Sequence, residues 1–359
     1  MAHGSEWASI VAQVATPVCL TARGGDVTLW HRLPHTHYWS RMPPFFLSKT
    51  LLSIALAAMA LPFSAHAATP AVDPLTQPIA SPYAAQWNRP QQPARIHGDT
   101  YYVGVGGLSV VLIDTREGLI LIDGALPQSV AAIKEHILEL GFRLEDIKFI
   151  LNTEAHFDHS GGIAALARDS GAQVVASPLG AQALRAGSVL AMDPQAGEID
   201  PMPAVENVRE IADGETLQLG DVTVTARYTP GHTPGSTSWT WVSCEDAERQ
   251  DCLNVVFGAS LTPVAADDFH YLGDERHADL TPAFRRVMQD FAKLPCDILI
   301  SAHPDHSGGD RKLTQLLEGV TPNPFIDAQA CSNYAAKNEA KLEARIAKEK
   351  AMAGETATK

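Results

Sequence analysis

Four side chains that can ligate a metal fall within residues 154–159, which read EAHFDH. They are Glu154, His156, Asp158 and His159. A mainly apolar run at residues 148–153 precedes them, and this layout is typical of a buried strand that delivers ligands to a loop. Imidazole and carboxylate are donors that zinc takes. The segment therefore predicts a metal site, with a chance cluster in a surface loop as the alternative.

Two later segments place a histidine just past a predicted strand. His232 lies in a Pro/Gly-rich turn after the alternating strand at residues 222–227, and His303 follows a β-branched strand at residues 297–302. Functional residues tend to sit in loops at one end of a rigid sheet. Three strand ends that each finish in ligand-type residues therefore favour one shared metal centre.

The combined pattern resembles the metallo-β-lactamase superfamily, whose signature is His-x-His-x-Asp-His followed by two distant histidines. The segments GHTPGST (231–237), LPCD (294–297) and GALPQ (124–128) are similar to the third subclass of class B β-lactamases. The similarity extends over roughly the whole chain after its first 67 residues. Glu154 departs from the pattern, because most members have histidine at that position.

The order of the elements supports the fold that the resemblance implies. From residue 100 onward, strands, a helix, strands again and helices last suggest two sheets packed face to face with helices outside. This agrees with the α/β class and the αβ/βα four-layer sandwich of the metallo-β-lactamase fold. Residues 216–228 are predicted as one strand, and 326–350 as a long charged helix. The Pro-rich segment 68–93 is predicted to be extended and mobile, and residues 187–207 to form an irregular loop beside the site.

The resemblance implies two zinc ions. The implied ligands of the first are Glu154, His156 and His232. Those of the second are Asp158, His159 and His303. Three protein ligands per ion leave room for water, as a catalytic site requires. Because Glu154 brings an additional negative charge and a harder donor, a single tightly held ion is the alternative.

The activity that the resemblance implies is hydrolysis of the β-lactam amide bond of penicillins, cephalosporins and carbapenems, which confers antibiotic resistance. Zinc lowers the pKa of bound water to about 7, so metal-bound hydroxide is the expected nucleophile, oriented by Asp158. Two other functions stay open. A lactone or thioester hydrolase of the same fold would use similar ligands, although residues 257–260 lack the bridging Asp that such relatives commonly have. The other is a periplasmic metal-binding protein that has lost catalysis through Glu154.

Three further polar residues lie near the predicted ligands. Ser260 and Thr262 occupy positions similar to those where the subclass receives the substrate carboxylate through hydroxyls. Capping of a turn is the alternative for both. His306, three residues past His303, is expected to support a ligand or to face solvent, because both metal sites already have their ligands.

Composition limits the fold and the partners. A chain of 359 residues with 45% hydrophobic residues can bury a full core, and residues 68–359 are predicted to form one metallo-β-lactamase domain. The formal charge of -14 argues against nucleic acid or an anionic membrane as a partner, since both attract clustered Lys and Arg. The expected partner is a small β-lactam, and a monomer is expected.

Residues 1–67 are predicted to be a leader. The apolar run 51–63, with Lys49 before it and Ala65-His66-Ala67 after it, has the layout of a secretory signal peptide cleaved after Ala67. Met42 would begin a leader of ordinary length, so residues 42–67 are predicted as the signal peptide and the first 41 residues as a mis-called start. The expected location is the periplasm, with no membrane attachment after cleavage.

Cysteine usage agrees with export. Apart from Cys19 in the predicted leader, the cysteines are Cys244, Cys252, Cys296 and Cys331. An even number suits an oxidising compartment, but four cysteines allow three pairings that sequence alone does not distinguish. The short spacing of Cys244 and Cys252 suggests a clip across a hairpin. The resemblance implies the bridge between Cys296 and Cys331.

Overall fold

The computed structural model describes residues 73–246 and 248–356. The predicted signal peptide, its cleavage after Ala67 and the proposed start at Met42 lie outside the described residues. Within the described part of the chain, no helix is both long and apolar enough to cross a membrane.

The first sheet has seven strands that lie in their chain order. They are β1 (Ala94–His97), β2 (Thr100–Tyr102), β3 (Val111–Asp114), β4 (Leu119–Ile122), β5 (Ile147–Leu151), β6 (Gln173–Ala176) and β7 (Val208–Glu210). β1 to β4 pair antiparallel, whereas β4 to β7 pair parallel. Short turns can connect neighbouring antiparallel strands. Neighbouring parallel strands must be connected by longer crossovers, which here contain helices.

The second sheet has five strands in the order β12, β11, β10, β9, β8. They are β8 (Thr216–Leu219), β9 (Val222–Tyr228), β10 (Thr237–Cys244), β11 (Cys252–Gly258) and β12 (Ile298–Ser301). The prediction of one strand over 216–228 is wrong, because a turn at Gly220 (φ +54°) folds these residues into a hairpin. A Cβ at Gly220 would lie 2.1 Å from the Thr115 carbonyl oxygen, so glycine is required there.

Helices cover the outer faces of both sheets. They are α1 (Ala84–Trp87), α2 (Val130–Glu139), α3 (Phe157–Ser160), α4 (Ile163–Ser170), α5 (Pro178–Ala186), α6 (Thr281–Phe291), α7 (Gly309–Leu317) and α8 (Ala330–Thr356). α5 was not predicted, although its start is marked by the Ser177 side chain, which accepts a hydrogen bond from the Gly180 amide, and by Pro178 in the first turn. The segment predicted to be extended contains α1 and a 3-10 turn at Pro74–Thr76.

Three apolar layers hold these elements together. Between the sheets, Ile113 and Ile122 of the first sheet belong to one core with Val224, Trp239 and Phe257 of the second. Because side chains alternate along a strand, the opposite faces point outward and must be covered. A second core joins the outer face of the first sheet to α2, α4 and α5, and a third joins the second sheet to α6 and α8. The predicted αβ/βα four-layer sandwich is therefore confirmed.

The structure contains two disulfides. Cys244 and Cys252 are directly paired residues at the end of the β10–β11 ladder and are bonded to each other. Cys296, which precedes β12, is bonded to Cys331 in α8. One bridge therefore closes a hairpin, and the other ties the last long helix to the second sheet.

Candidate metal centre

The predicted ligands come from the carboxyl ends of three strands. Residues 152–156 follow β5 and lead directly into α3, His232 follows β9, and His303 follows β12. Just after the ligand segment, the backbone at Gly162 packs against the backbone at Gly124. A Cβ at Gly162 would lie 2.2 Å from the carbonyl oxygen of Gly124, so only glycine allows this approach. The β4 end and the ligand segment can therefore lie against each other with no side chain between them.

Asp158, His159 and His303 form a compact group. Nε2 of His159 lies 3.2 Å from Nε2 of His303, and Oδ2 of Asp158 lies 3.3 Å from each of these nitrogens. One ligand atom from each residue falls within 4.8 Å of the others. Asp158 and His159 are buried, and the side chain of His303 is 12% exposed. Two nitrogens and a carboxylate oxygen at such distances suit zinc.

Glu154, His156 and His232 form a second, wider group. The ring centroids of His156 and His232 are 5.1 Å apart, and Oε1 of Glu154 lies 3.8 Å from Nε2 of His232. Oε1 also lies 3.0 Å from Nε2 of His159, so Glu154 stands between the two groups. The structure thus brings all six predicted ligands to one place.

Glu154 points into the site with one oxygen. Its Oε2 accepts a hydrogen bond from the Ser260 backbone amide at 2.7 Å, whereas its buried Oε1 forms no hydrogen bond among the described residues and faces Nε2 of His159 at 3.0 Å. Leaving a buried carboxylate oxygen unsatisfied is costly unless a cation compensates it. The residues present therefore fit a metal ion, and Oε1 is the atom that Glu154 would offer to it.

Backbone carbonyls orient two of the histidines. Nδ1 of His232 lies 2.8 Å from the carbonyl oxygen of Thr262, and Nδ1 of His303 lies 3.2 Å from that of Gly107. A ring nitrogen that donates to a carbonyl fixes the tautomer, so that the other nitrogen is left as the ligand. Nε2 is therefore the nitrogen that both rings direct to the centre.

Asp123, just after β4, supports His159. Its carboxylate accepts hydrogen bonds from the amide and the hydroxyl of Thr153, and Oδ2 lies 3.9 Å from Nδ1 of His159. Complete burial, opposed by His159, raises the pKa of Asp123 to about 7. Its φ of 64° is unusual for a non-glycine residue, which indicates that the surrounding contacts hold it in place.

The charges of the ligands depend on one another. Burial would raise the pKa of Glu154, but His159 and His232 outweigh it and lower the pKa to about 2. Burial of Asp158 is likewise outweighed by His159 and His303, which hold its pKa well below its usual value. Burial would lower the pKa of His159, but Asp158 and Glu154 raise it to about 10. Both carboxyl groups are therefore ionised, whereas His159 must release a proton before its ring can bind a metal.

Sequence reasoning missed several residues around the ligands. Asp193 and Gln195 approach His156 and His232 from the predicted loop 187–207, and the indole of Trp87 lies 5.6 Å from the ring of His303. Nothing in the local sequence of these residues points to the site. The loop was predicted to lie beside the site, but it contains four acidic residues, and nothing in the sequence distinguishes Asp193 from carboxylates that face solvent.

The remaining predicted residues are also near the centre. Ser260 is fully buried, and its hydroxyl has no hydrogen-bond partner. The hydroxyl of Thr262 lies 3.2 Å from Nδ1 of His232. The ring of His306 lies 4.8 Å from that of His303, and burial lowers its pKa to about 3. His306 thus packs behind a ligand and stays uncharged at neutral pH.

Comparison with known proteins identifies the family. A model of the metallo-beta-lactamase superfamily matches residues 103–245. The chain is 47% identical to MEM-A1, a subclass B3 metallo-beta-lactamase isolated from a soil metagenome library, with a TM-score of 0.71 over 74% of this chain and 99% of MEM-A1. It is 44% identical to a B3 metallo-beta-lactamase described as the first with an active-site glutamic acid, with a TM-score of 0.70 over 78% of this chain and 99% of that chain. The uncharacterized protein YobT of Bacillus subtilis (strain 168) is 30% identical over 145 residues, which are 39% of this chain and 59% of YobT.

The chain belongs to the metallo-β-lactamase superfamily. Within it, the chain groups with the subclass B3 enzymes, and it is a metal-dependent hydrolase of that type. The predicted family, subclass and enzyme class are therefore confirmed. One solved relative of this group is itself described as having an active-site glutamic acid.

Proposed function

We propose that this protein hydrolyses the β-lactam amide bond of penicillins, cephalosporins and carbapenems with zinc, and thereby confers antibiotic resistance. The observation that carries the proposal is the convergence of six ligand-type side chains from three strand ends, with the buried Oε1 of Glu154 facing Nε2 of both His159 and His232. Similarity to subclass B3 β-lactamases at up to 47% identity supports this substrate class over a lactone or thioester.

Two zinc ions would be held by the two ligand groups. Glu154, His156 and His232 would hold the first. Asp158, His159 and His303 would hold the second. Zinc, when bound, acts as a Lewis acid and lowers the pKa of coordinated water to about 7. Three ligands per ion leave a position open for water or substrate.

Asp158 would orient the attacking water. Its carboxylate is ionised and buried, and its Oδ2 lies within 3.3 Å of both ligating nitrogens of the compact group. A fixed acceptor at this position holds a water proton and aims the oxygen at the substrate carbonyl. The ring of Trp87 lies 5.6 Å from that of His303 and 6.2 Å from that of Phe157, so an apolar surface adjoins the compact group.

Ser260 and Thr262 would receive the carboxylate of the substrate. Among the described residues the Ser260 hydroxyl has no hydrogen-bond partner, so it keeps a proton to donate to an anion, although this buried side chain must first become accessible to the substrate. The Thr262 hydroxyl lies 3.2 Å from Nδ1 of His232 and would have to turn from that ring to donate to substrate. Ser260 is therefore the stronger candidate of the two.

Location in the periplasm follows from the sequence of residues 42–67. A short apolar run with a preceding lysine and small residues at the end supports export and cleavage after Ala67. Export would also provide the oxidising compartment in which the two disulfides persist. Amino-terminal sequencing of the exported protein tests cleavage, for which a first residue of Ala68 is expected. A mature chain that begins before Met42 would contradict Met42 as the true start.

The direct test of function is hydrolysis of a small panel, comprising a penicillin, a cephalosporin, a carbapenem and a lactone, with zinc counted in the same samples. Zinc-loaded protein is expected to open the β-lactams, to lose this activity with a chelator and to regain it with zinc. Cleavage of the lactone alone would favour a lactonase. Zinc binding without hydrolysis of any substrate would favour a metal-binding protein.

A further inference from the structure

The loop at residues 187–207 reaches the wider ligand group through Asp193. This residue is 3% exposed, and both of its carboxylate oxygens lie 3.3 Å from Nε2 of His156. A carboxylate placed in this way accepts the Nε2 proton of the ring. The nitrogen of His156 that is left to bind a metal is then Nδ1, whereas His232 directs Nε2 to the centre.

The carboxylate of Asp193 is held by its own turn. The amide of Gln195 donates to Oδ1 of Asp193 at 2.9 Å, and the amide of Asp193 donates to the carbonyl oxygen of Leu190 at 2.9 Å. The turn is fastened to a distant segment, because the amide of Ala266 donates to the carbonyl oxygen of Pro194 at 2.8 Å. Asp193 therefore meets His156 in a set geometry.

The same turn also contacts the second histidine of the wider group. Nε2 of Gln195 lies 3.5 Å from Nε2 of His232, at the outer limit of a hydrogen bond. The compact group is supported elsewhere, since Asp123 lies next to His159 and the Gly107 carbonyl next to His303. This turn of the loop thus lies beside one ligand group and not the other.

We propose that Asp193 is a positioning residue for the first metal site. By accepting the Nε2 proton of His156, Asp193 sets the tautomer and the orientation of the ring. The zinc affinity of the site formed by Glu154, His156 and His232 therefore depends on the loop. The effect is confined to this site, because Asp193 has no contact with the ligands of the compact group among the hydrogen bonds and ion pairs of the described residues. The inference rests on the proposed metal centre.

The test compares Asp193→Ala, Asp193→Asn and a matched control, Asp200→Asn. Asp200 is in the same loop but is exposed. Zinc affinity is measured for each bound equivalent by competition with a chromophoric chelator. In the zinc-loaded protein, the exchangeable Nε2 proton of His156 is followed by nuclear magnetic resonance. The melting temperature of the metal-free protein shows whether each variant is folded.

Asp193→Ala is expected to weaken one zinc equivalent by about 10- to 100-fold, the usual effect of losing a carboxylate behind a ligating histidine. Asp193→Asn retains an acceptor without the charge and is expected to lose about tenfold, at the lower end of that range. The His156 ring proton should move upfield and exchange faster in the Ala variant. The other equivalent, and every property of Asp200→Asn, should match the wild type.

Wild-type affinity for both equivalents in a folded Asp193→Ala variant would overturn the inference, as would equal weakening of both. If the Ala variant does not fold, the isosteric Asn variant decides, and unchanged zinc affinity in it overturns the proposal. Failure of the wild type to bind zinc would instead contradict the proposed metal centre. The two failures are therefore distinguishable.

Discussion

The two ligand groups of the centre differ in how they are built. Asp158 Oδ2 lies 3.3 Å from Nε2 of both His159 and His303, so the side chains of the compact group are already close to one another. In the wider group, the nearest approach between Glu154 and His232 is 3.8 Å, and a loop residue orients His156. The compact group should therefore bind its zinc ion more tightly, whereas the zinc affinity of the wider group should depend more on the loop that contacts it.

The largest effect is expected from Asp158→Asn. The amide has no charge, so it weakens the compact group and no longer orients water as a carboxylate does. Activity on a β-lactam should fall by about 100- to 10,000-fold, the range for loss of a positioned proton-transfer group. Steady-state hydrolysis by zinc-supplemented protein measures it, with the exposed Asp305→Asn as a control that should keep full activity. A loss of less than tenfold would remove Asp158 from the proposed role.

A second test concerns Glu154, which stands between the groups. Glu154→Gln removes the charge but keeps the shape and an oxygen for the Ser260 amide, so folding should persist. Zinc at the wider group should weaken by roughly 10- to 100-fold, by analogy with the loss of an ionised partner of a metal site. Equilibrium dialysis with metal counting measures the stoichiometry, which should fall toward one ion per chain. The exposed Glu206→Gln serves as the control, and unchanged stoichiometry in Glu154→Gln would show that Glu154 is not a ligand.

Removal of zinc should lower the thermal stability of the protein, and the two ligand groups should contribute unequally to this loss. Zinc at about 100 times its Kd adds about 2.7 kcal/mol to the free energy of unfolding. For a domain of this size that corresponds to a rise in Tm of roughly 4–5 °C. His232→Ala leaves the compact group intact and should keep more of this rise than His303→Ala, as thermal melts with and without chelator would show. The opposite order would contradict the assignment of the tighter group, and His270→Ala, outside the centre, should behave as wild type.

The smallest effect is expected from Ser260→Ala. The backbone amide of Ser260, not its side chain, holds Glu154, so zinc affinity should stay unchanged. Loss of a hydroxyl that donates to a charged substrate group costs about 1.5 kcal/mol, the lower end for such a hydrogen bond, and should raise KM by about tenfold, with little change in kcat. Kinetics with a carboxylate-bearing β-lactam measure both constants, and Thr262→Val provides the parallel comparison. An unchanged KM in both variants would show that neither hydroxyl binds the substrate carboxylate.

Part of this architecture could be read from local sequence. The run 148–153 and the six ligand-type residues are local patterns, since a buried strand needs consecutive apolar residues and a ligand needs a particular side chain. The turn at Gly220 was also present as a signal, but the alternation on both sides of it suggested one continuous strand. Helix α5 was missed because its apolar residues are small and its cap resembles any loop serine.

The contacts around the ligands could not be predicted in the same way. Asp123 reaches Thr153 and His159 across neighbouring strands, Asp193 reaches His156 across 37 positions, and Trp87 reaches His303 from a segment expected to be extended. Such pairs depend on how layers pack, and no periodicity in one segment records which distant segment will face it.

The sequence by itself determined which side chains are available for the centre, because ligand chemistry belongs to residue type and spacing along one strand end. Only the tertiary structure decided that Glu154 lies between the groups with one oxygen held by Ser260, and that a loop aspartate orients His156. The physical reason is that these arrangements arise from the packing of two sheets and a loop. Buried polar atoms need hydrogen-bond partners, and the packing supplies those partners from distant parts of the chain.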